Sequence, residues 1–250
     1  MEREADVGGI LSQTVDVMGG AGRAVIIFVL VLGVFSGIGG LFGLASVDDN
    51  FITAQWTNGG FDTQSASMME GVFGLANIVL FVIAAYLLLK EMMAAVGRPM
   101  RGGSRFWSFL GLSILATIAT VLGFLLFIIP GIILLVRWAA ANGFVMNGEH
   151  GIRGSLGASW EATEGRGLSI FGAGLLMWIV LVVLAVMVSG VIGGLGFATS
   201  SDEVLSPMLA VAVAASGFLE AFTNAASLAF SIAVFHLVAP GDTSVADVFE

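Results

Sequence analysis

The sequence predicts an all-α fold: a polytopic integral membrane helical bundle of six transmembrane helices, with two short interfacial amphipathic helices. Three observations predict it. Hydrophobic residues make up 58% of the 250-residue chain and charged residues only 11%, less than half the charge of a typical soluble domain. Six apolar runs approach or exceed the ~20 residues that cross a hydrocarbon core of ~30 Å. Eight of the nine Lys and Arg residues fall on one side of those runs. The mean hydropathy of +1.02 agrees. Little chain remains outside the runs, so residues 1–250 read as a single membrane domain.

The chain opens with Glu2, Glu4 and Asp6. A cleavable signal peptide would instead place a basic stretch before a short apolar run, so the first span is expected to insert as an uncleaved anchor. Val7, Ile10, Leu11, Val15 and Met18 recur at helical spacing, with Ser12, Gln13 and Asp16 elsewhere. That pattern predicts an interfacial helix over 7–20. The six spans follow as Ala24–Val47, Gly71–Met93, Phe106–Ile129, Ile132–Asn147, Leu168–Gly194 and Met208–Val238. The fourth is the shortest. Between the fourth and fifth, Ile152, Leu156 and Trp160 recur every four residues while Arg153, Glu161 and Glu164 point away. A second interfacial helix is therefore expected over 151–166.

Orientation follows from the basic residues near the span ends. Arg3 and Arg23 precede span one. Lys90, Arg98, Arg101 and Arg105 lie between spans two and three, and Arg153 and Arg166 between spans four and five. Segments 48–70 and 195–207 carry none. An inner-membrane topology with both termini inside satisfies all eight. Segment 48–69 becomes the one sizeable outer loop, with a turn signal at Asn58-Gly59-Gly60 and interfacial aromatics at Phe51, Trp56 and Phe61. The acidic tail with Asp242, Asp247 and Glu250 lies inside.

Two sequence likenesses suggest repeated hairpins. Gly22-Arg23 through Phe28 resembles Gly165-Arg166 through Phe171, and Ser36 through Leu41 resembles Ser189 through Leu195. Gly33 with Gly37, Gly39 with Gly43, and Gly190 with Gly194 are small-residue pairs that let helix backbones approach closely.

Several chemistries are excluded or unsupported. The chain has no cysteine, which removes disulfides, thiol catalysis and cysteine-ligated metals. Its pI near 4.5 argues against nucleic acid, which needs clustered basic residues. His150 and His236 are the only histidines and stand in different segments, so no paired-histidine metal motif exists. No GxSxG elbow or glycine-rich phosphate loop appears. No catalytic residue, cofactor or metal site is expected. His150 beside Glu149 reads as a solvated loop residue.

Intramembrane ionisable residues are costly to bury and are the first candidates for a site. Arg137 stands seven residues beyond Pro130, about 10 Å deep at ~1.5 Å per residue. Glu220 stands thirteen beyond Pro207, about 20 Å deep on the same rise. Ser216, Glu220, Asn224, Ser227 and Ser231 follow spacings of four, four, three and four on span six. A stripe of this kind faces the bundle interior or water, because lipid cannot satisfy it. It forms either an interhelical seam or a polar pathway. Arg137 and Glu220 are candidates to pair, directly or through water.

The run Ile129-Pro130-Gly131 through Arg137-Trp138, then Glu149, then Ser159-Trp160-Glu-Ala-Thr163-Glu-Gly165 resembles a bacterial pattern. It is similar to the membrane domain attached to some glycerophosphoryl diester phosphodiesterases and to related YciC-type inner-membrane proteins. The resemblance covers about residues 125–175. It implies a six-span inner-membrane protein with an interfacial helix between spans four and five. It does not imply phosphodiesterase activity, because the catalytic domain of those enzymes is missing. Members usually carry a proline in the fourth span, where this chain has Ala141-Asn142-Gly143, and often a basic residue before the serine, where it has Ala158. Within this motif Pro130-Gly131 is expected to make the outer turn between spans three and four. Thr163 and Gly165 are expected to end the interfacial helix.

The sequence therefore points to a non-enzymatic integral inner-membrane protein, a scaffold or a lipid- or envelope-associated factor. Its expected partners are membrane lipids, with another membrane protein or a second copy of the chain open. The alternative is a small transporter or channel with a polar pathway along span six.

Overall fold

The computed structural model describes residues 5–42, 44, 68–101, 103–197 and 207–239. Among these residues the regular structure is entirely α-helical, in the order α1 (Val7–Gly20), α2 (Gly22–Leu41), α3 (Met68–Ala95), α4 (Phe106–Leu126), α5 (Ile128–Arg137), α6 (Ala141–Asn147), α7 (Ile152–Ala162), α8 (Gly167–Phe197) and α9 (Pro207–Val238). Six segments are long and apolar enough to cross a membrane: Gly22–Gly39, Gly71–Ala95, Phe106–Leu126, Ile128–Asn147, Gly167–Val191 and Ala214–Val238. The chain is a multi-pass helical membrane protein. Phe51, Trp56, Phe61, the Asn58-Gly59-Gly60 turn, Gly43 and the acidic tail lie outside the described residues.

Large apolar side chains such as Val180, Leu125 and Ile26 are exposed on the spans, as lipid-facing surfaces are. The span of α9 differs. It is 67% buried, against 17–33% for the other five, so α9 contributes most to the interior.

The described chain groups into two compact units. The first comprises Met1–Gly20, Leu89–Leu175 and Leu228–Glu250; the second comprises Ala21–Leu88 and Leu176–Ser227. In the second unit, aromatic rings meet small residues. Phe35 stacks on Phe73 with centroids 4.7 Å apart, and Phe28 meets Phe81 edge-on at 6.3 Å. Gly33 lies under the Phe218 ring, Gly37 against Ala214 and Gly217 against Ser36. Missing side chains here let backbones close up. Gly190, by contrast, has nothing within 4 Å of a built Cβ.

In the first unit, α1 begins with Asp6 as its cap: the Gly9 N–H donates to Asp6 Oδ1 at 2.6 Å, satisfying one of the unpaired amides of the first turn. Its buried face is Ile10, Thr14 and Val17. Val15, expected on that face, is exposed beside Asp16.

The turn between spans three and four corrects one expectation. The reversal sits at Phe127, whose backbone is extended (φ −162°, ψ 149°), and not at Pro130-Gly131. Both of those residues belong to the first turn of α5. Proline is tolerated there because an amide in the first turn has no intrahelical acceptor. Gly131 is required by the hairpin itself. Its backbone passes within 3.2–3.3 Å of a Cβ built on Gly123, and its own Cβ would meet the Phe124 ring.

The repeated Gly-Arg starts also part company. Gly165 has φ +76°, while Gly22 is among the helical residues and has no positive φ. With Gly37 packed and Gly190 open, the likeness between spans one and five stays at the level of sequence.

Candidate functional site

Span four is not one helix. It is α5 and α6 separated by Trp138–Ala140. A break inside an apolar span frees backbone carbonyls that hydrocarbon cannot satisfy. Two of these carbonyls meet hydroxyls from other helices. Ser159 Oγ donates to the Arg137 carbonyl at 2.8 Å, and Thr163 Oγ1, which donates to the Ser159 carbonyl one turn back at 2.8 Å, lies 3.3 Å from the same Arg137 oxygen. Ser231 Oγ, from α9, donates to the Ala139 carbonyl at 2.6 Å. Ser159 and Thr163 are fully buried and Ser231 nearly so.

This explains which face α7 buries. The apolar stripe Ile152, Leu156 and Trp160 was expected to lie in the membrane interface, and Trp160 is exposed. The structure buries the adjoining polar line Ser155, Ser159 and Thr163, where Ser159 meets a carbonyl of the broken span. Ser155 Oγ donates to the Gly151 carbonyl at 3.0 Å, one turn back in its own helix.

The Arg137 side chain turns to the same helix. Its Nη1 donates to the Trp160 carbonyl at 3.4 Å, and its Cζ lies 5.3 Å from the Trp160 ring centroid, within cation–π range. Arg137, Ser159, Trp160 and Thr163 therefore form one cluster. α7 ends at Thr163, and Gly165 turns the chain into α8 with φ +76°, a region costly to residues with a Cβ. Pro130 and Gly131 lie at the other end of α5 and serve the hairpin.

The α9 stripe divides. Ser231 belongs to the first unit and caps the break. Ser216, Glu220, Asn224 and Ser227 belong to the second. Ser216, Glu220 and Asn224 are half-buried and Ser227 is exposed. Ser227 Oγ donates back to the Thr223 carbonyl at 2.9 Å. Glu220 and Asn224 make no side-chain hydrogen bond or ion pair with another described residue. Arg137 and Glu220, candidates to pair, fall in different units.

A further cluster escaped the sequence reading. Arg98, Arg101 and Arg105, in the segment between α3 and α4, engage the ends of α6, α7 and α9. Arg98 Nη2 donates to the Ala239 carbonyl at 3.4 Å, and its Cζ lies 5.2 Å from the Phe235 centroid. Arg101 pairs with Glu149 at 2.8 Å. Arg105 donates to the Gly148 carbonyl and, at 3.1 Å, to the His150 carbonyl. The signal was present as arginines spaced by three and four residues, with Gly148-Glu149-His150-Gly151 as a second turn-forming polar run.

His150 is accordingly not a solvated loop residue. Its ring stands edge-on to Phe144 with centroids 6.0 Å apart. Its Nδ1 is buried without a hydrogen-bond partner, as is that of His236. His150 lines a cavity of about 460 Å³ together with Arg98, Phe144, Asn147, Glu161 and Phe235, among others. Among the described residues no group of three or more His, Cys, Asp or Glu side chains is placed to hold a metal ion.

No protein family, curated protein or solved structure matches this chain.

Proposed function

We propose that this membrane protein is non-enzymatic and acts in the bacterial inner membrane as a scaffold or as a lipid- or envelope-associated factor. In this reading both termini lie on the cytoplasmic side. The observation that carries it is the use made of the motif side chains. Ser159 and Ser231 are engaged with carbonyls of the broken span, Thr163 with the Ser159 carbonyl of its own helix, and Arg137 with Trp160. Groups held in this way stabilise a fold and are not presented to a reacting molecule. A hydroxyl spent on a carbonyl also lacks the adjacent base that a nucleophile needs. The resemblance to the phosphodiesterase-associated membrane domain supports the same reading, since the motif that carries it is the one that closes span four.

One observation favours a second reading, a small transporter or channel. Glu220 and Asn224 lie four residues apart on α9 without partners among the described residues. Unpaired polar groups at membrane depth are typical of pathways.

Native mass spectrometry tests the first reading, with the protein extracted from its own membrane under minimal delipidation. Retained lipid, a second protein or a defined oligomer is the expected result. A bare monomer overturns it, and solute and ion flux with Glu220→Gln as control becomes the next measurement.

A further inference from the structure

Arg137 carries a charge inside an apolar span and has no counter-charge. It stands midway along the candidate span Ile128–Asn147, and its guanidinium forms no ion pair with a described residue. One N–H donates to the Trp160 carbonyl at 3.4 Å, and its Cζ lies 5.3 Å from the Trp160 ring centroid. Neither contact cancels a full positive charge, and the other donors of the guanidinium fork stay unused among the described residues. An isolated charge at membrane depth is costly, so a long side chain reaches for the nearest polar layer. Here it reaches α7, whose 11 residues are too few to cross the core and whose Arg153, Trp160 and Glu161 are exposed. The guanidinium therefore stands at headgroup level, beside an aromatic ring of the kind that settles there.

A second arginine arrives at the same corner. A Cβ built on Gly167 would lie 3.6 Å from Val136 Cγ1, so the start of α8 passes the end of α5. The chain neighbours of these two residues are Arg166 and Arg137. Arg166 is exposed, and its side chain forms no hydrogen bond or ion pair with another described residue. The carboxylates closest in sequence neutralise neither arginine. Glu161 lines the cavity that Arg98 and Phe235 share, and Glu164 is exposed without an ion pair to a described residue.

Two uncompensated cations beside an interfacial tryptophan select an anion. Guanidinium matches phosphate oxygens in charge and in bidentate geometry. At headgroup level the phosphate at hand is that of the lipid. A zwitterionic lipid brings its own ammonium, which the arginines repel. An anionic lipid brings net negative charge and compensates them.

We infer that the corner formed by Arg137, Trp160 and Arg166 binds the phosphate of an anionic phospholipid of the phosphatidylglycerol class. Arg137 and Arg166 take the phosphate oxygens, and the Trp160 ring lies against the glycerol. The Ser159 hydroxyl and the Arg137 carbonyl, which close span four, keep each other as partners. The inference rests on the lipid-associated reading above and names the class of lipid.

The test uses full-length protein, delipidated in detergent and titrated in native mass spectrometry. The probes are phosphatidylglycerol, phosphatidylethanolamine and free glycerol 3-phosphate. Wild-type protein should bind phosphatidylglycerol about tenfold more tightly than phosphatidylethanolamine, the lower end for a hydrogen bond between charged groups. Arg166→Gln and Arg137→Gln should each remove most of that preference, and Arg137→Lys should keep part of it. Arg137 also holds Trp160, so its variants carry a folding risk, whereas Arg166 is exposed and Arg166→Gln does not. Arg153→Gln serves as control, because Arg153 is equally exposed but lies about 10 Å from Trp160 along α7; it should leave the preference intact. Equal binding of the two lipids by the wild type, a preference that survives Arg166→Gln, or one that falls as far in Arg153→Gln overturns the inference. Free glycerol 3-phosphate binding as tightly as the lipid overturns the lipid assignment in favour of a soluble phosphoester. Lipid retained on extraction from the native membrane, without this preference, sinks the inference and leaves the proposed function standing.

Discussion

Gly143→Ala and Gly190→Ala are the same substitution on paper, and the structure gives them opposite signs. Both glycines are helical, and alanine is favoured over glycine in a helix interior by about 0.8–1.0 kcal/mol. At Gly190 nothing lies within 4 Å of the added methyl, so that gain is retained. At Gly143 the methyl would overlap Cβ and Cγ of Phe235. Phe235 cannot retreat: it is fully buried, its ring stands at 82° to Phe144, and Arg98 covers it. Overpacking of this kind costs about 1–3 kcal/mol. It exceeds the helical gain, because the clash involves Cβ and not a flexible tip. The net effect is a loss of up to about 2 kcal/mol, or as much as several degrees at roughly 2–4 °C per kcal/mol for a chain of this size. Thermal unfolding of the purified protein in one detergent measures both variants. Gly143→Ala should melt lower than wild type and Gly190→Ala at or above it. Equal melting temperatures for the two would refute the packing of α6 against the end of α9.

Further substitutions probe the closure of span four. Ser159→Ala removes the hydroxyl donor to the buried Arg137 carbonyl and should cost about 1–3 kcal/mol, whereas Thr163→Val removes a hydroxyl that donates within its own helix and should cost under about 1 kcal/mol. Thermal unfolding compares the two, and a Ser159→Ala loss no larger than that of Thr163→Val would count against the Ser159–Arg137 bond. Gly165→Val should lower yield and stability by about 1–2 kcal/mol from backbone strain alone, since no neighbour lies within 4 Å. Gly165→Asn should recover most of the loss, as asparagine tolerates this region; indifference to both would contradict the turn. Arg101→Gln should change stability by less than about 1 kcal/mol, because its ion pair with Glu149 is solvent-exposed. A larger drop in melting temperature would assign that pair a structural role.

The spans were legible because their signal is composition over length. Twenty apolar residues in a row match the thickness of a hydrocarbon core and exceed what a helix in a soluble domain usually buries. The cap of α1 by Asp6 and the Gly165 turn are local and were equally within reach. What escaped depends on partners distant in sequence. Trp138-Ala-Ala-Ala contains strong helix formers and no proline, so nothing local announces the break in span four. The break becomes visible only when Ser159 and Ser231 arrive to satisfy its carbonyls. The same long-range demand decides which side of α7 meets the protein: periodicity marks Ile152, Leu156 and Trp160 as its apolar stripe, and only the fold shows that Ser155, Ser159 and Thr163 are buried. Pro130-Gly131 misled for a different reason. A proline followed by glycine signals a turn, yet proline also fits the first turn of a helix, and Gly131 answers to Phe124 across the hairpin. Arg137, Ser159, Trp160 and Thr163 were found together by motif. Their hydrogen bonds, and the arginines around Gly148 and His150, needed the fold.

Cysteine accessibility along α9 separates a structural membrane protein from a pathway most directly. The chain has no native cysteine, so single substitutions at 216, 220, 224 and 227 can be read against an empty background. Each is exposed in native membranes to a membrane-impermeant thiol reagent, from either side. A packed, non-conducting protein predicts no labelling at 216, 220 or 224 from either side. Labelling at all three, protected by a transported solute, would contradict it and establish a water-filled route past Glu220.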